Sequence, residues 1–266
     1  MIDLHCHLLP AIDDGAADEA VALEMARIAV ADGIRTIACT PHIYPGFYEN
    51  DRAGIVARVA ALQRRLDDEG IPLRLTFGAD AHLTPELLGR IAARTAPTIA
   101  DGRYLLVEPS HTVATPRFAE AVFEFVAAGY VPVITHPERL AWIETHYAMF
   151  AALVRGGVWM QVTAGSLVGH FGRTAQRMGE RMLRDGLVHL LATDAHGVRH
   201  RAPRLAEGRR AAVRIVGEEE AERLVVSRPQ AILDNRRPAD IAPAPALRPG
   251  FAAPSRGIVG RLFGRG

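Results

Sequence analysis

The sequence predicts an α/β protein whose parallel strands are covered by helices, either a barrel or an open doubly wound sheet. Three observations carry this. Seven short β-rich runs alternate with longer helical ones along the chain. The strand runs are nearly continuous in apolar residues, as strands buried on both faces require. Six of the seven strands also end in a residue able to bind a metal, and in a β/α barrel the C-terminal strand ends open onto one face.

The first strand is Met1-Ile2-Asp3-Leu4-His5-Cys6-His7. Alternation places Ile2, Leu4 and Cys6 on one side and Asp3, His5 and His7 on the other, so two imidazoles converge at its end. Residues 17–32 repeat apolar positions at Val21, Met25 and Ile28 and stop at Gly33, a helix with a glycine end. Residues 35–40 form the second strand, ending in Pro41-His42, and 51–69 a second helix. The third strand, 73–77, runs into Gly78-Ala79-Asp80, and 84–93 opens with Thr84-Pro85-Glu86, an N-cap followed by proline. The fourth strand, 104–107, ends in Glu108-Pro109-Ser110 and precedes a helix over about 116–128. The fifth, 131–135, ends in His136-Pro137-Glu138-Arg139, with a helix at 142–155. The sixth is 158–163, followed by a helix at 172–185, and the seventh, 188–193, ends in Asp194-Ala195-His196. These elements make residues 1–237 one domain. From Pro238 onward Pro, Ala and Gly dominate, which reads as a disordered tail.

Composition excludes several chemistries. All 31 basic side chains are arginine, so no mechanism that requires lysine is available: Schiff-base aldolases, pyridoxal enzymes, P-loop nucleotide hydrolases and carbamylated-lysine metal sites. A cysteine-dependent tyrosine phosphatase needs arginine six residues after its cysteine, but Cys6 is followed there by Ile12 and Cys39 by Pro45. There is no Gly-x-Ser-x-Gly elbow and no Gly-x-Gly-x-x-Gly. A formal net charge of +1 gives no reason to expect nucleic acid as a partner. Two cysteines, the absence of a long apolar run and a first strand beginning at residue 2 lead to the expectation of a cytoplasmic protein with no signal peptide.

What remains is the set at the strand ends: His5 and His7, His42, Asp80, Glu108, His136, and Asp194 with His196. Mixed imidazole and carboxylate ligands suit Mn, Fe or Zn better than Mg or Ca. His82 and His111 lie just past ligand-bearing ends, and Tyr44, Phe47 and Tyr48 follow His42 in a loop, for which packing is the expected role.

These residues carry a resemblance to the polymerase and histidinol phosphatase (PHP) superfamily, and within it to bacterial capsule and exopolysaccharide tyrosine phosphatases of the CpsB/YwqE type. The matching stretches are MIDLHCH with IDDG at 12–15, RTIACTPH at 35–42, FGAD at 77–80, YLLVEPS at 104–110, PVITHPER at 132–139, ATDAH at 192–196, RAP at 201–203 and RPQAIL at 228–233. The resemblance implies a distorted, TIM-like (β/α)7 barrel with three divalent ions, manganese above all. One ion would take His5, His7, Asp80 and Asp194; a second Asp80, Glu108 and His136; a third Asp14, His42 and His196. Arg139 and Arg201 match the family's substrate-phosphate arginines, and Asp14 and His42 join them in the catalytic set. Asp80 stands where many relatives carry Glu and reaches about one methylene less. Three divalent ions against four carboxylates leave about two positive charges for a hydroxide and a phosphate.

The resemblance implies dephosphorylation of the tyrosine-rich tail of a bacterial autokinase that controls capsule or exopolysaccharide export. A small-molecule phosphatase such as a histidinol-phosphate hydrolase is the nearest alternative enzyme, and a non-catalytic metal-binding regulator the alternative from another class. At residues 250–266, Ile258, Val259, Leu262 and Phe263 interleave with Arg256, Arg261 and Arg265. That pattern suggests a weak docking segment for a partner or an anionic membrane surface.

Overall fold

Residues 1–253 are described by a computed structural model, and every ladder among their strands is parallel. The seven expected strands occur as nine segments: β1 (Ile2–Cys6), β2 (Thr36–Cys39), β3 (His42–Ile43), β4 (Arg74–Phe77), β5 (Asp80–His82), β6 (Tyr104–Glu108), β7 (Val131–Thr135), β8 (Trp159–Thr163) and β9 (Leu190–Ala192). The second strand breaks at Thr40-Pro41, where proline has no N–H for the ladder. The third breaks at Gly78-Ala79. Pairing therefore splits into β1-β2-β4 and β3-β5-β6-β7-β8-β9. Strand seven then returns to strand one: Asp194 N donates to His5 O at 2.8 Å and His7 N to Ala195 O at 2.9 Å. The sheet closes through these bonds, which decides for a barrel over an open doubly wound sheet.

Strict alternation does not survive in β1. Its register with β2 slips between Asp3 and Cys6, and a bulge of this kind re-aims the side chains beyond it. Ile2 and Leu4 join the interior cluster with Ala38, Tyr104, Leu106, Val133 and Trp159, whereas Cys6 belongs to the layer between strands and helices. β6 shows the regular case, with Tyr104 and Leu106 inside and Leu105 and Val107 outside.

The helices are α1 (Glu19–Ala31), α2 (Arg52–Asp68), α3 (Leu87–Ala92), α4 (Phe118–Ala127), α5 (Ile143–Arg155) and α6 (Gly172–Arg184), then α7 (Ala206–Val216), α8 (Glu218–Glu222) and α9 (Arg228–Leu233). Asp18 and Asp51 cap α1 and α2, accepting from Val21 N at 2.9 Å and Gly54 N at 2.7 Å. Thr84 caps nothing: residues 84–86 form a turn and α3 starts at Leu87 without a side-chain cap. None of the described helices is long and apolar enough to cross a membrane.

The segment from 238 differs from the disordered tail that its composition suggests. Over 238–253 it packs against the barrel, burying Ile241, Ala244 and Pro245, with Ala246 N donating to Gly186 O at 3.1 Å. Its anchor is Arg228, fully buried, which donates to Ala242 O at 3.0 Å and Pro243 O at 2.9 Å and pairs with Glu220 at 2.6 Å. Carbonyls of a proline-rich segment thus find a donor that such a segment cannot supply for itself. The sequence pattern suggesting a docking segment falls mostly on 254–266, outside the described residues.

Removing one member of a buried ion pair leaves the other uncompensated. Arg228→Ala should therefore destabilise the fold by about 3 kcal/mol or more and release 238–253 to proteolysis, whereas Arg94→Ala at an exposed pair with Asp101 should cost under about 1 kcal/mol. Urea denaturation of the two variants, with limited proteolysis, checks this.

Candidate metal centre

At the C-terminal end of the barrel the strand-end residues converge. His5 Nε2 lies 3.2 Å from His7 Nε2, 3.4 Å from Asp80 Oδ2 and 3.3 Å from Asp194 Oδ1, and His7 Nε2 lies 3.4 Å from the same Asp194 oxygen. Atoms sharing an ion at bond lengths of about 2.1 Å sit roughly 3–3.5 Å from one another. Glu108 gathers the next group. Its Oε1 is 3.8 Å from His136 Nε2 and 3.3 Å from His111 Nε2, and its Oε2 is 3.4 Å from His42 Nδ1. A third group forms around Asp14 Oδ1, 3.5 Å from His42 Nε2 and 3.3 Å from His196 Nε2, with His7 beside it.

All nine residues expected as ligands are brought together, in overlapping groups able to hold ions. The grouping differs in detail from the expected one: His7 also reaches the Asp14 group, and His111 joins Glu108 and His136. His111 and Asp13 were not among the expected ligands and orienting groups. His111 sits where its spacing gave no signal. Asp13 lay in plain view in the IDDG stretch.

Asp13 works behind His7. Its Oδ2 is 2.7 Å from His7 Nδ1 and accepts His42 N at 3.0 Å, while Oδ1 accepts Gly15 N at 3.0 Å. A carboxylate on the outer nitrogen fixes the tautomer that presents Nε2 to an ion. Only glycine fits at 15, because a Cβ there would lie 2.2 Å from His7 O and 2.5 Å from His7 Cβ. Gln161 Oε1 does the same service for His5 Nδ1 at 2.9 Å, and Thr135 Oγ1 donates to Asp80 Oδ1 at 3.2 Å.

Three of the polar atoms facing inward are left without hydrogen bonds. Asp80 Oδ2, His42 Nδ1 and His196 Nε2 are buried with no donor or acceptor of the protein satisfying them. Buried polar groups are almost always partnered, so the donor set fits a cationic group. Burial works against charge on Asp80 and Asp194, but the imidazoles around both, and the two arginines at Asp194, hold each well below the usual carboxylate range. Burial and the neighbouring Asp80 push Glu108 up, yet His111, His82 and His42 bring it down to about 2. Burial, with Arg139 and His7 respectively adding to it, lowers His136 and His196 to about 4, so both present neutral nitrogens at pH 7.

Arg139 and Arg201 both donate to Asp194 Oδ2, Arg201 at 2.6 Å, and Arg201 Nε also donates to Asp194 O at 3.2 Å. Arg139 lies over the Phe171 ring at 4.3 Å and Arg201 at 5.8 Å. His136, Asp194 and Arg201 all take left-handed backbone, with φ of 35°, 51° and 54°. Non-glycine residues hold such conformations where the surroundings over-determine them, as they do at sites. Tyr48 stacks on His42 and Tyr44 on His82, the packing role expected of them, while Phe47 stands exposed at the loop tip.

A family model described as "Capsular polysaccharide synthesis, CpsB/CapC" matches residues 1–234. The chain is 42% identical over 203 residues to the tyrosine-protein phosphatase YwqE of Bacillus subtilis, covering 76% of this chain and 79% of that one. It superposes with a TM-score of 0.86 and 35% identity on a chain from the crystal structures of YwqE from Bacillus subtilis and CpsB from Streptococcus pneumoniae, described as unique metal-dependent tyrosine phosphatases. That match covers 91% of this chain and 97% of the other. A probable 2-pyrone-4,6-dicarboxylic acid hydrolase from Acinetobacter baumannii, 16% identical with a TM-score of 0.51 over 87% of this chain and 98% of its own, shares the barrel fold alone.

Burial pulls the His7 ring down, but its bonds to Asp13 and Asp194 carry it up to about 10. Its proton is bound at every pH below that value and must leave when an ion binds. Affinity for manganese should therefore keep rising with pH from 6 to 9, with about one proton released near pH 7.5. Calorimetry in two buffers of different ionisation enthalpy reads this, and zero release contradicts it. Asp13→Asn should weaken manganese binding about 10–100-fold.

Proposed function

The chain belongs to the CpsB/CapC family of capsular polysaccharide synthesis, and from that premise we propose a metal-dependent protein-tyrosine phosphatase acting on a phosphoprotein of capsule or exopolysaccharide synthesis. The observation that carries this is the convergence of nine ligand-type side chains, among them Asp80, His42 and His196 with buried atoms that no protein group satisfies. Three manganese ions are the proposed complement: the first on His5, His7, Asp80 and Asp194, the second on Asp80, Glu108 and His136, the third on Asp14, His42 and His196. The proposed substrate is the phosphotyrosine tail of a bacterial tyrosine autokinase, met in the cytoplasm.

Bound ions supply Lewis acidity, lowering the pKa of water towards ~7 and neutralising phosphate charge. The protein's own groups do the positioning. Asp194 Oδ2 holds Arg139 and Arg201 at the rim, and each guanidinium keeps further N–H donors for phosphate oxygens. Phe171 beneath them fixes their planes. With no lysine in the chain, and with Cys6 and Cys39 buried and their thiols pushed up chiefly by burial, neither a lysine nor a cysteine serves the leaving group as acid. A phenolate leaves more readily than an alkoxide, so this chemistry favours aryl phosphates.

The manganese-loaded protein should hydrolyse a phosphotyrosine peptide with a kcat/KM at least about 100-fold above those for histidinol phosphate and a phosphoserine peptide. Arg139→Ala and Arg201→Ala should each lower that value by about 10²-fold or more, with metal content measured alongside. A preference for histidinol phosphate would replace the reading with a small-molecule phosphatase. Inertness towards all three with ions bound would replace it with a metal-binding regulator.

A further inference from the structure

Phe171 stands between two cavities at the mouth of the site, of about 300 and 410 Å³. They differ in charge. The larger adjoins Arg139 and also carries Glu138 and Glu144. The smaller adjoins Arg201 and brings together Arg199, Arg204, His170 and His200 with a single carboxylate, Glu207. That carboxylate lies 3.6 Å from His170 Nδ1, and the three arginines outnumber it. Neither Arg199 nor Arg204 forms an ion pair among the described residues, whereas Arg201 and Arg209 on either side of them do. Two unpaired guanidiniums in a concave wall, sharing that wall with a residue at the phosphate rim, make a positively charged recess.

We infer that this recess is a second anion subsite, taking an acidic side chain that flanks the phosphotyrosine of the substrate peptide. The inference rests on the phosphatase reading and deepens it by naming the substrate class: an acidic or multiply phosphorylated peptide. An extended chain advances about 3.3–3.6 Å per residue, so a group one to three residues from the phosphotyrosine falls within reach of a cavity that shares Arg201. Arginine forks suit both carboxylate and phosphate oxygens, and a glutamate and a second phosphotyrosine are the two sources of that chemistry. Because Arg199 and Arg204 are exposed, the contribution is screened by salt and modest per pair. It acts on ground state and transition state alike, so it should appear in KM rather than kcat.

The test uses the full-length manganese-loaded protein and three phosphotyrosine peptides: one with neutral flanks, one with glutamates within three residues, and one with a second phosphotyrosine there. The acidic and doubly phosphorylated peptides should show KM values about 3–10-fold below that of the neutral peptide with similar kcat, an advantage lost at 0.5 M salt. Arg199→Ala/Arg204→Ala should erase the advantage, and Arg199→Glu/Arg204→Glu should reverse it, with unchanged thermal melts. An advantage for the second phosphate alone supports the subsite and assigns it to phosphate. Equal KM values for all three peptides, or an advantage that survives both double variants, overturn the subsite while leaving the phosphatase reading in place. Hydrolysis of none of them overturns that reading and the subsite together.

Discussion

The carboxylate of Asp80 is the constraint on which the barrel mouth depends. It has no exposure to solvent, yet its Oδ2 faces the rings of His5 at 3.4 Å, His42 at 3.7 Å and His136 at 3.8 Å without a hydrogen bond of its own. A carboxylate this deep stays ionised only if positive charge surrounds it. The backbone is distorted to put it there. Strand three stops at Phe77, passes Gly78-Ala79 and resumes with Asp80 as the first residue of β5, paired with His42 as the first residue of β3. Two broken strands thus present two ligand-type side chains side by side, and the split between the two sheets is the structural consequence.

A second layer holds the first. Asp13 orients His7, Gln161 orients His5, and Thr135 occupies the outer oxygen of Asp80. Asp194 serves two functions: one oxygen faces His5 and His7 while the other gathers Arg139 and Arg201. The cluster of ligand-type side chains and the two arginines are therefore coupled through one carboxylate. Left-handed backbone at His136, Asp194 and Arg201 is where this arrangement departs from regular strand geometry.

The barrel and the side chains that converge at its mouth are legible because both are written in local pattern. Apolar strand runs with a ligand-type residue at each end need no knowledge of distant contacts. The resemblance of IDDG, HPER and ATDAH to known phosphatases then points to a metal-dependent tyrosine phosphatase. What the sequence hid is non-local. The bulge that sends Leu4 inward and Cys6 outward depends on the register with β2. The start of α7 is capped by Asp32, which accepts from Leu205 N at 2.6 Å and Ala206 N at 2.8 Å across 173 and 174 residues. The order of 238–253 comes from Arg228, whose guanidinium supplies donors to carbonyls that the Pro- and Ala-rich composition of that segment leaves unpaired. Asp13 shows the opposite failure: the residue was visible, but its role follows only from the turn that Gly15 permits.

In the proposed metal centre one carboxylate, Asp80, serves two ions. The most direct test of this sharing is the manganese content of Asp80→Asn against the unaltered protein, each loaded, desalted and assayed by elemental analysis with protein quantified in the same sample. Sharing requires the loss of two ions per chain together, with the ion proposed for Asp14, His42 and His196 retained. Loss of a single ion, or of none in a folded variant, would contradict it.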